Sequence, residues 1–288
     1  MTTVTSTRAT VPLLSRLPRW RKADPVLILS AVWCALVVLV AVAAPLLAPY
    51  DPSQTDILAA NQGSSGQHWF GTDSVGRDIF SRVLYGARLS LMGPALIVVI
   101  ATTAGTALAV AAVWFGGWFD RILTRVFDIV FAFPALLLAV LSVVLFGPGL
   151  TAPVTALAVA YTPYIARVVR SAALRERHLP YIESCTIAGL FGRRICVRHI
   201  LPNVLPVVRA QAVISLGTSL LDLGAISFVG LGIQPPSAEW GLMVSDGRTS
   251  LLNGNPQQSL AAGFMIIFTV VAFNMMGERL AERAEVKA

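Results

Sequence analysis

Two carboxylates stand inside otherwise apolar stretches of the sequence, at Asp128 and Asp222. An ionised side chain costs at least about 2.5 kcal/mol in the hydrocarbon core of a membrane, so such acids normally face a bundle interior or a water-filled path. Two interpretations stay open for each: a proton relay or path-lining group, and a hydrogen-bonded structural acid. Nearby Arg125 favours the structural interpretation for Asp128, whereas small and hydroxyl-bearing neighbours favour a path-lining role for Asp222. The predicted path-lining set is Ser215, Thr218, Ser219 and Asp222.

The residues needed for catalysis are sparse in this chain. Lysine occurs only at Lys22 and Lys287, and neither follows a glycine, so the G-x-x-x-x-G-K-[ST] phosphate-binding loop is absent from the sequence. The three histidines lie apart without metal-ligand spacing, and no Gly-x-Ser-x-Gly turn occurs. We therefore expect no enzymatic activity, no cofactor and no metal in this chain.

A third candidate is the segment ESCTIAGLFGRRICVRHILPNVLP, residues 183–206. Apolar residues dominate its first part, glycines interrupt it, and three arginines follow before the next apolar stretch. We predict a short exposed helix, a turn at Gly189 and Gly192, and a basic approach to a membrane span. Exposed apolar side chains on a loop indicate a docking surface.

The composition identifies the setting of these residues. The chain is 56% hydrophobic and 13% charged, whereas soluble domains carry about a quarter charged residues. Uncharged runs of roughly 20 residues are long enough to cross a bilayer. The uncharged runs are residues 26–50, 89–119, 129–166 divided at Gly147-Pro148-Gly149, and 257–277, and a further apolar stretch, residues 203–229, carries only Arg209 and Asp222. The sequence therefore predicts an all-α integral membrane protein with six spans.

Two predictions follow for the start of the chain. Residues 1–24 form a basic tail, which either lies along the membrane surface or is a disordered flank, and residues 25–288 form the six-span domain. The first apolar run, with Ala41-Val42-Ala43, imitates a cleaved secretory signal, but its length favours a retained span.

The basic residues predict the orientation. With the N-terminus inside, the outer segments contain only Arg77, Arg82, Arg88 and Arg248 of the 22 lysines and arginines. Because positively charged residues concentrate in cytoplasmic loops, we predict that both termini lie inside. The net charge of +7 then suits anionic lipid headgroups and a cytoplasmic partner, and no nucleic acid is needed to explain it.

Two further patterns concern the second span. In HWFGTDSVGRDIFSRVLYGARLSL, residues 68–91, the spacing of polar residues predicts a short amphipathic helix leading into the span. Ala101, Gly105 and Ala109 follow the small-xxx-small spacing that lets transmembrane helices approach closely.

Three motifs resemble the C-type permease subunits of ABC importers, in the dipeptide, oligopeptide and nickel subfamily. E-x-x-x-x-x-G followed by I-L-P resembles the "EAA" cytoplasmic loop of these permeases, residues 68–91 resemble their signature between spans one and two, and ISFVGLGIQPPSAEW, residues 226–240, resembles their end of span five. The implied coupling residues are Glu183, Ser184, Cys185, Gly189, Ile200, Leu201 and Pro202, and the implied outer signature is Gly71, Thr72, Asp73, Gly76, Arg77, Asp78, Ser81 and Arg82. Ser184 and Cys185 stand where the family has alanines, and their small size would let the helix seat closely.

The resemblance implies a type I importer transmembrane domain in a bacterial cytoplasmic membrane. The chain would form half of a translocation path for di- or oligopeptides, and residues 172–202 would be the coupling loop. The implied partners are a B-type permease subunit, one or two cytoplasmic ATPases that use ATP and Mg²⁺, and an extracytoplasmic peptide-binding protein. The same architecture importing nickel, glutathione or opines is the alternative. A proton-coupled secondary transporter using Asp128 and Asp222 is the alternative from another class.

Overall fold

The computed structural model describes residues 24–285, so the predictions for the tail before residue 24 lie outside the described residues. Helices and loops make up this part of the chain, with a 3₁₀ turn at Ile57–Ala59, a π turn at Cys196–Ile200 and an isolated bridge between Thr72 and Asp78. In chain order the helices are α1 (Pro25–Leu47), α2 (Ile79–Phe115), α3 (Gly117–Phe131), α4 (Ala135–Phe146), α5 (Thr151–Arg177), α6 (Pro180–Ile187), α7 (Gly192–Ile195), α8 (Leu201–Phe228), α9 (Trp240–Asp246), α10 (Arg248–Leu252) and α11 (Gln257–Glu285).

Five helices of the described part are long and apolar enough to cross a membrane: α1, α2, α5, the continuous helix from α7 through α8, and α11. The pair α3 and α4, bent by 78°, makes a sixth if it is counted as one broken span. The prediction of an all-α protein with up to six spans is confirmed.

The third span differs from the straight helix predicted over the first part of residues 129–166. Helix α3 ends at Phe131 and α4 contains 12 residues, which is about 18 Å of helix against the roughly 30 Å of a hydrocarbon core. The break falls at Phe133-Pro134, because proline lacks an amide donor and disfavours the helical conformation in the residue before it.

The amphipathic helix predicted before the second span is instead the first part of α2. Asp78 caps this helix, with its Oδ2 accepting a hydrogen bond from the Ser81 amide at 2.7 Å. The helix then continues through Pro94 to Phe115, where Gly116 adopts a φ of 60° and ends it. Polar outer turns and an apolar span therefore form one element of 37 residues.

Close approach of small residues builds the centre of the bundle. A Cβ atom on Gly105 would lie 2.9 Å from the Thr162 carbonyl oxygen of α5, and Ala101 and Ala109 are fully buried on the same side of α2. The close packing predicted from this spacing is confirmed. Helices α8 and α11 approach similarly at Gly217, whose Cβ would lie 3.1 Å from the Val270 carbonyl oxygen.

The loops gather at the two ends of this bundle. At one end the Gly149 amide, between α4 and α5, bonds the Gly232 carbonyl oxygen at 3.1 Å. At the other end Asp24, the cap of α1, pairs with Arg279 of α11 at 3.5 Å. The arginine-rich segment between α5 and α8 lies at this second end, which we therefore call the inner end, following the predicted orientation.

The orientation is tested by labelling exposed positions at the two ends with a membrane-impermeant maleimide. In a background lacking the native Cys34, Cys185 and Cys196, we expect Leu58→Cys and Leu252→Cys to be labelled in intact cells. Ile187→Cys should react only after the cells are permeabilised, because it lies at the basic end of the bundle. Labelling of Ile187→Cys in sealed cells would reverse the orientation.

Candidate functional site

A short helix, α6, lies at the inner end between the two long helices α5 and α8. Its buried side chain, Ile182, is 3% exposed and packs in a cluster with Ile195 and Ile200. Cys185 and Leu190 pack against the same cluster. The segment is therefore held to the bundle by its own apolar face rather than hanging free.

Three polar side chains also join α6 to both neighbouring helices. The Tyr181 hydroxyl of α6 donates to Glu176 Oε1 of α5, and Asn203 Nδ2 of α8 lies 2.7 Å from the same oxygen and 2.9 Å from the Tyr181 hydroxyl. Burial and then the neighbouring carboxylate raise the pKa of Tyr181 to about 12, so the phenol keeps its proton at neutral pH. We call Glu176, Tyr181 and Asn203 the inner tether.

The far end of α6 presents an apolar tip to the surroundings. Ile187 is 88% exposed and Phe191 is 82% exposed, and between them Gly189 turns the chain with a φ of +75°. This left-handed conformation is open to glycine at little cost. Exposed apolar side chains on a structured turn are typical of a contact surface for another protein.

Helix α2 packs against the start of α7, the helix that follows. A Cβ atom on Gly192 would lie 2.2 Å from Cζ2 of Trp114, so only glycine fits against this ring. Arg177 at the end of α5 lies over the same ring at 5.6 Å, a cation–π contact. The sequence showed no signal for this contact, because the residues are distant in the chain.

The predicted coupling residues divide between two surfaces. Glu183, Ser184, Gly189 and Pro202 are exposed, whereas Cys185, Ile200 and Leu201 face the inner cluster. The span predicted to begin at residue 203 also starts earlier, because the helix is continuous from Gly192. A π turn at Cys196–Ile200, where the Leu201 amide bonds the Cys196 carbonyl oxygen, carries the helix past the first proline.

The predicted outer signature residues come together at the opposite end. Gly71 and Gly76 adopt φ values of 78° and 81° against the backbone of the same loop. Asp73 accepts hydrogen bonds from the Arg77 amide at 2.9 Å and from Arg77 Nε at 2.6 Å. The Thr72 hydroxyl accepts from the Gln62 amide at 2.9 Å. The signature thus folds the first outer loop onto the start of α2.

Arg82 links this loop to the second outer loop. Its side chain is fully buried, and its guanidinium donates to the carbonyl oxygens of Pro52 at 2.9 Å, Pro236 at 3.3 Å and Ser237 at 3.4 Å. Asp73 lies 3.7 Å from the guanidinium and supplies a counter-charge. The outer signature is therefore a structural clamp between the two outer loops.

A groove opens between α5, α8 and the junction of α3 with α4, and we call it the aromatic groove. Its cavity of about 370 Å³ is lined by Phe131, Phe133, Tyr161, Tyr164, Thr218 and Asp222, among others. Of the predicted path residues, Thr218 and Asp222 line this groove, whereas Ser215 and Ser219 are fully buried and are not part of its lining. Sequence alone did not separate the buried from the groove-lining residues.

Asp128 lies outside this groove lining and has a counter-charge. Its Oδ1 pairs with Arg167 at 3.1 Å, and both side chains are about half exposed. The pair joins α3 to α5, as does the Asp120–Arg170 pair. This geometry fits the structural interpretation of Asp128.

Comparisons with known proteins agree with this arrangement. The family model described as binding-protein-dependent transport system inner membrane component matches residues 101–286, and the model of the N-terminal transmembrane domain of oligopeptide transport permease C matches residues 21–63. The dipeptide transport system permease protein DppC of Alkalihalophilus pseudofirmus is 40% identical over 250 residues, which cover 87% of this chain and 82% of that protein. The glutathione transport system permease protein GsiD of Escherichia coli is 38% identical over 259 residues, covering 90% and 85%.

A solved structure supports the fold. The MetNI methionine ABC transporter, in an inward-facing conformation, matches with a TM-score of 0.57 at 19% identity, covering 70% of this chain and 96% of the matched chain. The chain therefore belongs to the family of binding-protein-dependent transport system inner membrane components, the permeases of ABC importers. It is a multi-pass protein of the bacterial inner membrane. This assignment favours the importer over the proton-coupled alternative.

The inner tether is tested by Tyr181→Phe in the assembled transporter. Loss of the hydroxyl removes two hydrogen bonds of the tether, the one donated to Glu176 and the one accepted from Asn203, and leaves the apolar packing of α6 unchanged. We expect the complex to assemble normally, while stimulation of ATP hydrolysis by loaded binding protein falls severalfold. Thr186→Ala is the matched control, because that hydroxyl bonds only the Ile182 carbonyl oxygen of the same helix. Equal stimulation of ATP hydrolysis in both variants would show that the tether does not contribute to coupling.

The outer clamp is tested by Arg82→Met. Removing the guanidinium leaves three carbonyl oxygens without their donor, while Asp73 keeps its pair with Arg77. Each buried polar group left unsatisfied costs about 1–3 kcal/mol. We expect a lower thermal unfolding temperature and faster proteolysis within both outer loops. Arg88→Met, an exposed arginine of the same helix, should behave like wild type. Equal stability of the two variants would contradict the clamp.

Proposed function

We propose that this chain is the transmembrane permease subunit of an ATP-driven importer for di- and oligopeptides, and that it forms half of the translocation path. Two relatives that cover most of the chain are named for the transport of dipeptides and of glutathione, and glutathione is itself a short peptide. Short peptides are therefore the favoured substrate class. Within the same architecture, the alternatives are a transporter dedicated to glutathione, and one that imports nickel or opines.

The observation that carries the coupling role is the exposed apolar tip of α6. Ile187 and Phe191 are exposed, whereas the opposite face of α6 packs on the bundle. A partner that binds the exposed tip can therefore move the helices to which α6 is attached. We assign this partner as a cytoplasmic ATPase. It binds ATP and Mg²⁺, while this chain binds neither and has no catalytic role of its own.

Helices α5 and α8 connect the proposed ATPase contact at α6 to the translocation path. The inner tether fixes α6 to the inner ends of α5 and α8, and the same two helices contribute Tyr161, Thr218 and Asp222 to the aromatic groove. Motions between conformations usually move packed helices as rigid bodies. Closure of the ATPases would therefore change the width of the groove through α5 and α8.

The remaining partners complete the path and its supply. A B-type permease subunit supplies the other half of the path, facing the groove. An extracytoplasmic binding protein delivers the peptide to the outer loops, which the Arg82 clamp holds together.

The coupling role is tested by two replacements of Gly189. A leucine in the left-handed conformation costs about 1–2 kcal/mol, which should distort the turn and misplace the tip, so we expect peptide uptake and binding-protein-stimulated ATP hydrolysis to fail. Asparagine tolerates the same conformation and should retain both. Co-purification of the ATPase with each variant identifies the lost step.

A charge reversal provides an independent test of the same surface. Glu183→Arg should weaken the ATPase contact, because like charges placed at an interface cost several kcal/mol. Membrane insertion should stay normal, since Glu183 is exposed outside the spans. Normal uptake, hydrolysis and co-purification in both Gly189→Leu and Glu183→Arg would exclude this surface as the coupling element.

A further inference from the structure

The carboxylate of Asp222 in the aromatic groove is not paired with a cationic side chain among the described residues. Asp222 Oδ2 accepts a hydrogen bond from the Tyr161 hydroxyl at 2.9 Å. Within the described residues no donor reaches Oδ1, whereas Asp120 and Asp128 each pair with an arginine. A membrane-embedded carboxylate with one neutral partner is costly unless a wet path or a ligand compensates it. Asp222 is therefore available to a charged ligand.

The walls around Asp222 suit an organic cation. Phe131, Phe133 and Tyr164 are each about half exposed along the groove, and aromatic faces attract ammonium groups. The cavity of about 370 Å³ is within the range of small-molecule sites, roughly 300–1,000 Å³. One carboxylate beside several ring faces is the combination that recognises an ammonium group attached to a carbon chain.

A transition-metal ion fits this lining less well. Such ions prefer imidazole, thiolate or several oxygen ligands, and the described residues that line the cavity include no histidine or cysteine. The lining offers a single carboxylate, Asp222, with the hydroxyls of Tyr161, Tyr164 and Thr218. The groove therefore favours an ammonium ligand.

We propose that Asp222 binds the free α-ammonium group of the peptide as it crosses the membrane, and that Tyr161 is a positioning residue that orients the carboxylate. This inference rests on the proposed function. An α-amino group has a pKa of about 7.7–8.0 and is mostly charged at neutral pH. Its three N–H donors would be shared between Asp222 Oδ1 and the Thr218 hydroxyl, one helical turn away on α8.

Cysteine protection in the assembled complex tests the site without relying on transport. In a cysteine-free background, Ala160→Cys on α5 and Ile214→Cys on α8 place reporter thiols in the groove, at lining positions that have no assigned part in binding the ammonium group. The probes are glycylglycine and N-acetylglycylglycine at equal concentration, which differ in the free amino group. We expect glycylglycine to slow labelling by a small methanethiosulfonate reagent at least threefold, and the acetylated peptide to have no effect.

Three variants separate charge from structure in this assay. Asp222→Asn keeps an acceptor for Tyr161 but removes the charge, so the difference between the two peptides should disappear. Asp222→Glu should restore part of it. Tyr161→Phe should reduce the protection twofold to fivefold, because the carboxylate stays but loses its orientation. Equal protection by the two peptides, no protection by either, or unchanged selectivity in Asp222→Asn would overturn the proposal.

Peptide uptake into proteoliposomes by the complete transporter distinguishes this inference from the proposed function. If the site is correct, Asp222→Asn should lower uptake roughly tenfold, as expected for the loss of a charge-assisted hydrogen bond, while binding-protein-stimulated ATP hydrolysis persists. If the wild-type complex transports no peptide, the proposed function fails even where the protection assay supports an ammonium site. Normal uptake by Asp222→Asn overturns the inference and leaves the importer function standing.

Discussion

The hydrocarbon core of the membrane provides no hydrogen-bond partners, and this constraint decides where polar chemistry lies in the molecule. The spans satisfy their own backbone groups, and small residues such as Gly105 and Gly217 let their backbones approach one another closely. Polar contacts are therefore concentrated at the ends, with the outer clamp around Arg82 and the inner tether around Tyr181. The lone carboxylate of Asp222 stands out against this background.

The two ends differ in what they leave exposed. At the outer end, Arg82 is fully buried and joins both outer loops into one surface. At the inner end, burial of Ile182 holds α6 in place while Ile187 and Phe191 remain exposed. This arrangement suits a permease that receives substrate at its outer end and is moved by an ATPase at its inner end. The outer loops are clamped together, and the inner helix α6 is fixed with an exposed tip. Helices α5 and α8 join the inner tether to the groove.

The sequence predicted the elements that depend on local composition. Long apolar runs predicted the spans, and the spacing of Ala101, Gly105 and Ala109 predicted a close approach of another helix to α2, because burial and size alone determine them. The partner helix, α5, was not predicted. The sequence did not predict the helix break at Phe133-Pro134, because a single proline within an uncharged run does not by itself indicate the end of a helix. It also grouped Ser215 and Ser219 with Asp222, although both serines are fully buried, because the packing of neighbouring helices over α8 cannot be read from the period of one helix. Contacts between distant residues, such as Trp114 with Gly192, carry no sequence signal.

When the ATPases close, we expect α6 to move as one unit with α5 and α8. Electron paramagnetic resonance distances between spin labels test this directly in the complete transporter, with one label at Ile187 on α6 and the other at exposed Val159 on α5 or Leu29 on α1. Between the nucleotide-free and ATP-bound states, we expect the Ile187–Val159 distance to stay constant and the Ile187–Leu29 distance to change. A change in the Ile187–Val159 distance with a constant Ile187–Leu29 distance would show that α6 stays with α1 instead of moving with α5, and would contradict the coupling route.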